Sequence, residues 1–170
     1  MIVDLADLEG IEKKFEFSIP ADNLDLETDT VRLKGDIDVS VNIEKSIAKT
    51  NISGTIGVAA ELECTRCLVP IDKQLAFNFD VSFVNSEQLV QEASAELNEA
   101  DLDVDLLKGD EIDVKEVVRE QILLNLPEQI FCKEDCSGLC EKCGENLNLI
   151  HCNCADEEAD PRWAALKSLK

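Results

Sequence analysis

The chain has 170 residues, with 16 Lys and Arg against 37 Asp and Glu for a formal charge of −21, 45% hydrophobic residues, 4% aromatic residues and eight cysteines. The apolar share excludes a disordered acidic tail, and the length fits one domain, or one domain with an appendage, that can bury a core. No apolar run approaches the roughly 18 residues of a membrane helix, and Met1-Ile2-Val3-Asp4-Leu5-Ala6-Asp7 has neither the basic nor the apolar region of a leader, so a soluble, cytoplasmic protein is expected. A surface this acidic repels the phosphates of nucleic acids and attracts basic proteins.

From Lys13 to Val84 apolar and polar residues alternate: Phe15, Phe17 and Ile19, then Ile37, Val39, Val41 and Ile43, then Ile52 to Ala60, then Leu75, Phe77, Phe79, Val81 and Phe83. Period two predicts half-buried antiparallel strands, about four to six of them. Their close spacing, without helical patterns between them, predicts a barrel-like or sandwich sheet and not a doubly wound fold. Gly54 and Gly57 within a strand pattern predict a bulge or sharp curvature. Residues 85–111 carry nine acidic residues and one basic residue; they read as an exposed loop or short helix, with Leu102, Val104 and Leu106 marking a further strand near the end. Asp113 followed by Glu116 has the form of a capping box, and Val114, Val117, Val118 and Ile122 form the apolar stripe of a helix that ends before Pro127. Asp160-Pro161 opens a last short helix with Trp163, Leu166 and Leu169 on one side. That face docks on its own domain or, with Arg162 and Lys167, meets a partner protein.

The eight cysteines fall into four pairs: Cys64 and Cys67, Cys132 and Cys136, Cys140 and Cys143, and Cys152 and Cys154. Disulfides do not persist in a reducing cytosol, whereas two closely spaced sulfurs on a knuckle can reach one ion at about 2.3 Å. Thiolates are soft ligands, and eight of them make two closed tetrahedral zinc shells of structural type. Gly144 after Cys143 permits the tight turn of such a knuckle. Chain reversal around Asn146-Leu147-Asn148 favours Cys140, Cys143, Cys152 and Cys154 in one site, which leaves Cys64, Cys67, Cys132 and Cys136 for the other. The four pairs combine in three ways, and spacing alone leaves all three open. His151 reads as an exposed neighbour of Cys152. Cys136, Cys140 and Cys143 also match the spacing of a radical-SAM iron–sulfur triad, but residues 144–170 are too few for the barrel that chemistry needs.

The whole predicts an α+β chain: an antiparallel barrel-like or strongly curved β-sheet with a packed amphipathic helix over residues 1–131, and a Cys-rich zinc module over 132–170 that docks on it and ends in a short helix. Catalytic signatures are missing. There is one His and no Tyr, no phosphate-binding loop, and no spacing of carboxylates suited to acid–base work, so no enzyme, small-molecule substrate or catalytic residue is expected.

Leu62-Glu63-Cys64-Thr65-Arg66-Cys67-Leu68 leading into the phenylalanine ladder, Gly109-Asp110-Glu111-Ile112-Asp113 before the Val117 to Pro127 helix, the run from Cys136 to Gly144, Asn146-Leu147-Asn148, the Cys152/Cys154 pair, and Asp160-Pro161-Arg162 with Leu166-Lys167 together resemble the YceD family, the large ribosomal RNA subunit accumulation proteins. The resemblance implies a bacterial cytoplasmic protein needed for accumulation of large-subunit ribosomal RNA, through synthesis, processing or early assembly, and associated with a neighbouring gene for a small zinc-ribbon ribosomal protein. It carries no catalytic residues. With a charge of −21, contact with a basic ribosomal protein or an assembly factor is the expected mode of action. The alternatives are direct ribosomal RNA binding through the zinc module and a basic patch of Arg66, Lys142, Arg162, Lys167 and Lys170, or a redox-responsive zinc switch.

Overall fold

The computed structural model describes residues 1–8, 12–28, 30–46, 49–85, 104–107 and 109–154. β1 (Ile2–Asp4) leads to β2 (Glu12–Pro20), β3 (Val31–Lys45), β4 (Thr50–Glu63) and β5 (Pro70–Asn85), followed by β6 (Val104–Leu107), β7 (Glu111–Asp113) and, among the described residues, one α-helix, α1 (Val114–Leu124). Five strands form one sheet in the order β2-β3-β4-β5-β6, and β1 pairs with β7 in a separate ribbon.

The alternation read in the sequence sorts the residues onto two faces. Across β2 to β5 the rows Phe17, Val39, Ile56, Phe77 and Phe15, Val41, Gly54, Phe79 stand in register, and their side chains point to one side, as the period of two requires. That side is the core, where Ile37, Val41, Ile43, Ile52 and Ile56 are almost wholly buried. The other side carries polar and small residues, among them Ser18, Asp38, Thr55, Asn78 and Asp80, all exposed.

The sheet is open, which corrects the barrel-like part of the expectation. It ends in two edges, β2 and β6, and no pairing joins them among the described residues. β6 is four residues long and bonds only to Ser82–Asn85, too short to return along the nine residues of β2. Nor is the sheet wholly antiparallel, because β6 runs parallel to β5. A parallel return needs a crossover of about a dozen residues or more, and residues 86–103 separate the two strands. The expected acidic loop falls mostly on residues 86–103, outside the described residues.

Two local irregularities, of the kind that bend a strand, mark the sheet. Register shifts between Lys34 and Asp38 of β3, where Gly35 has φ 70°. At Gly54 the backbones come so close that an added Cβ would lie 2.1 Å from the Ser40 carbonyl oxygen.

α1 closes the core through the predicted stripe, burying Val114, Val117, Val118 and Ile122. Beside it Leu5 and Leu8 are buried at the end of β1, with Leu5 N donating to Asp110 O at 2.7 Å. Asp113 caps the helix by accepting from Lys115 N at 3.0 Å. Glu116 does not complete a reciprocal box; its carboxylate pairs with Arg119 at 3.0 Å. Asp113→Ala is therefore expected to cost about 1 kcal/mol, the usual worth of an N-cap, in a urea-unfolding comparison with the parent. The C-terminal helix expected after Asp160 lies outside the described residues.

Candidate metal centres

Two turns of the same design present the cysteines. In the first, between β4 and β5, Leu68 N donates to Cys64 O at 2.9 Å and Cys64 N donates to Val69 O at 2.9 Å. In the second, Gly144 N donates to Cys140 O at 2.9 Å and Cys140 N donates to Glu145 O at 2.8 Å. Each turn carries its fifth residue into the left-handed region, Gly144 at φ 74° and Leu68 at φ 59°. For glycine that costs nothing, whereas for leucine it costs about 1 kcal/mol or more.

The eight thiols converge in two groups of four: Cys64, Cys67, Cys132 and Cys136, and Cys140, Cys143, Cys152 and Cys154, the sulfurs of each group within 4.8 Å of one another. Of the three combinations open in the sequence, the structure shows one, the one that yields these two groups. In the first group Cys64 Sγ lies 3.8 Å from Cys136 Sγ, and Cys67 Sγ lies 3.6 Å from Cys132 Sγ. These separations are far too long for a disulfide, whose sulfurs bond at about 2.05 Å. They match the edge of a sulfur tetrahedron about a zinc ion, which a metal–sulfur distance of about 2.3 Å sets at about 3.8 Å. Both groups could hold a metal ion, and their donor set is all-thiol. His151 is exposed and belongs to neither group.

The centres differ in their surroundings. Cys64, Cys67 and Cys136 are 0%, 4% and 5% exposed and form a small core of their own with Ile71 of β5 and Leu139 packed against it. In the second group Cys140 and Cys152 are partly exposed, and Cys143 and Cys154 are exposed. The first centre joins the end of β4 to the chain beyond α1, reinforced by Thr65, whose N and Oγ1 both donate to Ile130 O at 2.8 and 3.1 Å. Arg66 links the two centres. Its carbonyl accepts from Leu139 N at 3.1 Å, its guanidinium donates to Cys136 O at 3.0 Å, and it stacks over Phe131 at 4.1 Å. Gly138, at φ 75°, lets that contact form, since a Cβ there would lie 3.2 Å from Arg66 O.

At Cys64, Cys136 and Cys140 the surrounding groups favour the thiolate. Burial opposes ionisation of Cys64, but the N–H groups of Arg66, Cys67 and Cys132 outweigh it and bring the thiol down to about 6. The N–H groups of Cys143 and Lys142 do the same for Cys140, also to about 6. Cys136 is lowered against its burial by Gly138 N and by Asn148, whose Nδ2 donates to its sulfur at 3.3 Å. Four thiolates cannot crowd together without a cation, however. Burial of its sulfur and the neighbouring Cys136 push Cys132 up to about 12, and Cys143 with burial pushes Cys154 up to about 12. A divalent ion removes that repulsion and displaces the remaining protons, so acidification is expected to release metal. The exposed centre should empty first, as read by a chromophoric chelator during a downward pH titration.

Asn148 escaped the sequence reading as a sulfur donor, because an asparagine in a turn carries no sign of the sulfur it faces. Its Oδ1 also accepts from Ser137 N at 2.9 Å. Arg162, Trp163 and Lys167, read as partner-binding, and Lys170 lie outside the described residues. No described helix is long and apolar enough to cross a membrane.

Fold and site together define an α+β protein with an open sheet and two four-cysteine centres. The family described as Large ribosomal RNA subunit accumulation protein YceD matches residues 52–170. The chain belongs to the YceD family. It is 28% identical over 130 residues to an uncharacterized protein of Mycobacterium tuberculosis, covering 76% of this chain and 60% of the relative. To the uncharacterized protein YlbN of Bacillus subtilis it is 30% identical over 140 residues, 82% of this chain and 73% of the relative. To the Large ribosomal RNA subunit accumulation protein YCED homolog 1, chloroplastic, of Arabidopsis thaliana it is 27% identical over 157 residues, 79% of this chain and 48% of the relative. The chain thus spans about 60% of the length of its mycobacterial relatives. No solved structure matches.

Proposed function

We propose that the chain is a non-enzymatic, cytoplasmic factor for the accumulation of large-subunit ribosomal RNA, built on two structural zinc centres and acting through contacts with basic ribosomal proteins or assembly factors. The observation that carries the reading is the family match over residues 52–170. Two further features support its finer parts. All-thiol groups of four leave a tetrahedral ion no open position for a substrate, which fits scaffolding and not Lewis-acid catalysis. Cys64, Cys67, Cys132 and Cys136 would hold the first zinc ion, and Cys140, Cys143, Cys152 and Cys154 the second; bound there, zinc supplies cross-linking only.

The choice of protein over RNA as the direct partner rests on charge. The exposed side of the sheet presents Glu12, Glu16, Asp36, Asp38, Glu44, Asp72 and Asp80, while Lys34 is taken up by Glu61 and Asp72. Arg66, a member of the basic patch on which RNA binding would depend, is held by Cys136 O and Phe131. A field of this sign speeds encounter with basic proteins and opposes polyanions. Affinity purification of the zinc-loaded chain at native salt is expected to recover large-subunit ribosomal proteins or their assembly factors. Recovery of neither would defeat the reading.

A further inference from the structure

Leu68 is the anomaly of the first centre. It occupies the same hydrogen-bonded turn position as Gly144 and takes the same left-handed backbone, φ 59° against 74°, although a side chain disfavours that conformation. No burial compensates it, for Leu68 is 56% exposed. A strained residue with an exposed apolar side chain points to a contact outside the chain.

The side chain stands at an apolar groove of about 370 Å³ between the first cysteine turn and the segment after α1, where Leu126, Pro127 and Ile130 form the facing wall. The groove is held in shape by the two bonds from Thr65 to Ile130 O. Glu63 and Glu128 are its charged lining residues, and among the described residues no cation lines it. Thr30 and Thr65 are its uncharged polar lining residues, and the Thr65 hydroxyl is already committed to Ile130 O. A carboxylate-flanked apolar groove repels RNA and suits a polypeptide.

We infer that Leu68 and this groove dock a protein segment that presents a large apolar side chain flanked by lysine or arginine. The inference rests on the protein-contact reading above and names its surface. The apolar side chain fills the groove against Leu68, and the flanking cations meet Glu63 and Glu128.

The test uses the zinc-loaded full chain with the photo-crosslinker benzoylphenylalanine at exposed Gln129, mixed with proteins stripped by lithium chloride from purified large ribosomal subunits. The expected result is an adduct with a basic ribosomal protein, with the yield falling about tenfold in Leu68→Gly, as for an interface anchor. The same variant relieves the backbone, so its unfolding midpoint should hold or rise. A contact that served only the fold would lower both readings together. No adduct, an adduct with a second copy or with residues 155–170, an adduct with added ribosomal RNA in place of protein, or a yield indifferent to Leu68→Gly would overturn the inference. If purification recovers ribosomal proteins while the Gln129 adduct fails, the groove assignment falls and the protein-contact reading stands.

Discussion

Cys64→Ser is expected to remove one metal ion per chain and to destabilise the fold by about 4 kcal/mol or more, the scale reached when a buried metal site is lost. Cys64 is 0% exposed and directly follows β4, and its group spans from the turn after that strand to Cys132 and Cys136 beyond α1. Serine offers a poor zinc ligand and leaves a hydroxyl and two thiols, those of Cys67 and Cys136, buried beside the exposed Cys132, where unpaired buried polar groups are costly. The loss should reach the sheet, because Ile71 of β5 packs against the same thiols. Cys154→Ser makes the informative contrast. Its group is largely exposed, so the second ion should go while the urea midpoint of the sheet changes by no more than about 1 kcal/mol. Metal analysis and urea unfolding on the two variants check both halves. An equal effect of the two substitutions on the sheet would show that burial does not rank the centres.

Gly54→Ala is expected to be nearly as damaging, at about 3 kcal/mol or more, or to prevent folding. The new methyl would meet Ser40 O at 2.1 Å and the Phe79 ring at 3.1 Å. The first is backbone within the β3–β4 pairing, where Ser40 stands opposite Thr55 and Val41 opposite Gly54. Relief therefore requires the two central strands to part. Three residues along, Gly57 points to the opposite side of the sheet, and a Cβ there meets nothing within 4 Å. Gly57→Ala should stay within about 0.5 kcal/mol of the parent and even stabilise slightly by restricting the unfolded chain. Thermal unfolding of the pair decides the matter, and similar losses for both would contradict the close approach of β3 and β4.

Those two glycines also show where the sequence was legible and where it was not. Glycine inside an alternating run signals curvature, yet nothing in the run says that Gly54 lies against a neighbouring carbonyl while Gly57 faces open space. That distinction needs the register between strands. The four long strands were readable because alternation reflects one covered face, and α1 because Val114, Val117, Val118 and Ile122 keep helical spacing. β6 was readable only as a strand. Nothing within Val104–Leu107 announces its parallel sense, which comes from its pairing with Ser82–Asn85.

The cysteine pairs were visible as metal-ligand knuckles from spacing, but which pairs share a centre depends on how the chain returns to β4 after α1. Thr65 fixes that return through Ile130 O, a bond no local pattern announces. Leu68 was hidden for a different reason. Leucine carries no conformational signal, and its left-handed backbone becomes apparent only beside the matching turn that ends in Gly144.

The most direct test of the two-centre account is native mass spectrometry of the intact, gently purified chain. Two zinc ions per chain are expected, one for each group of four thiols. A single zinc ion, a chain that retains its fold without metal, or iron in place of zinc would contradict the account.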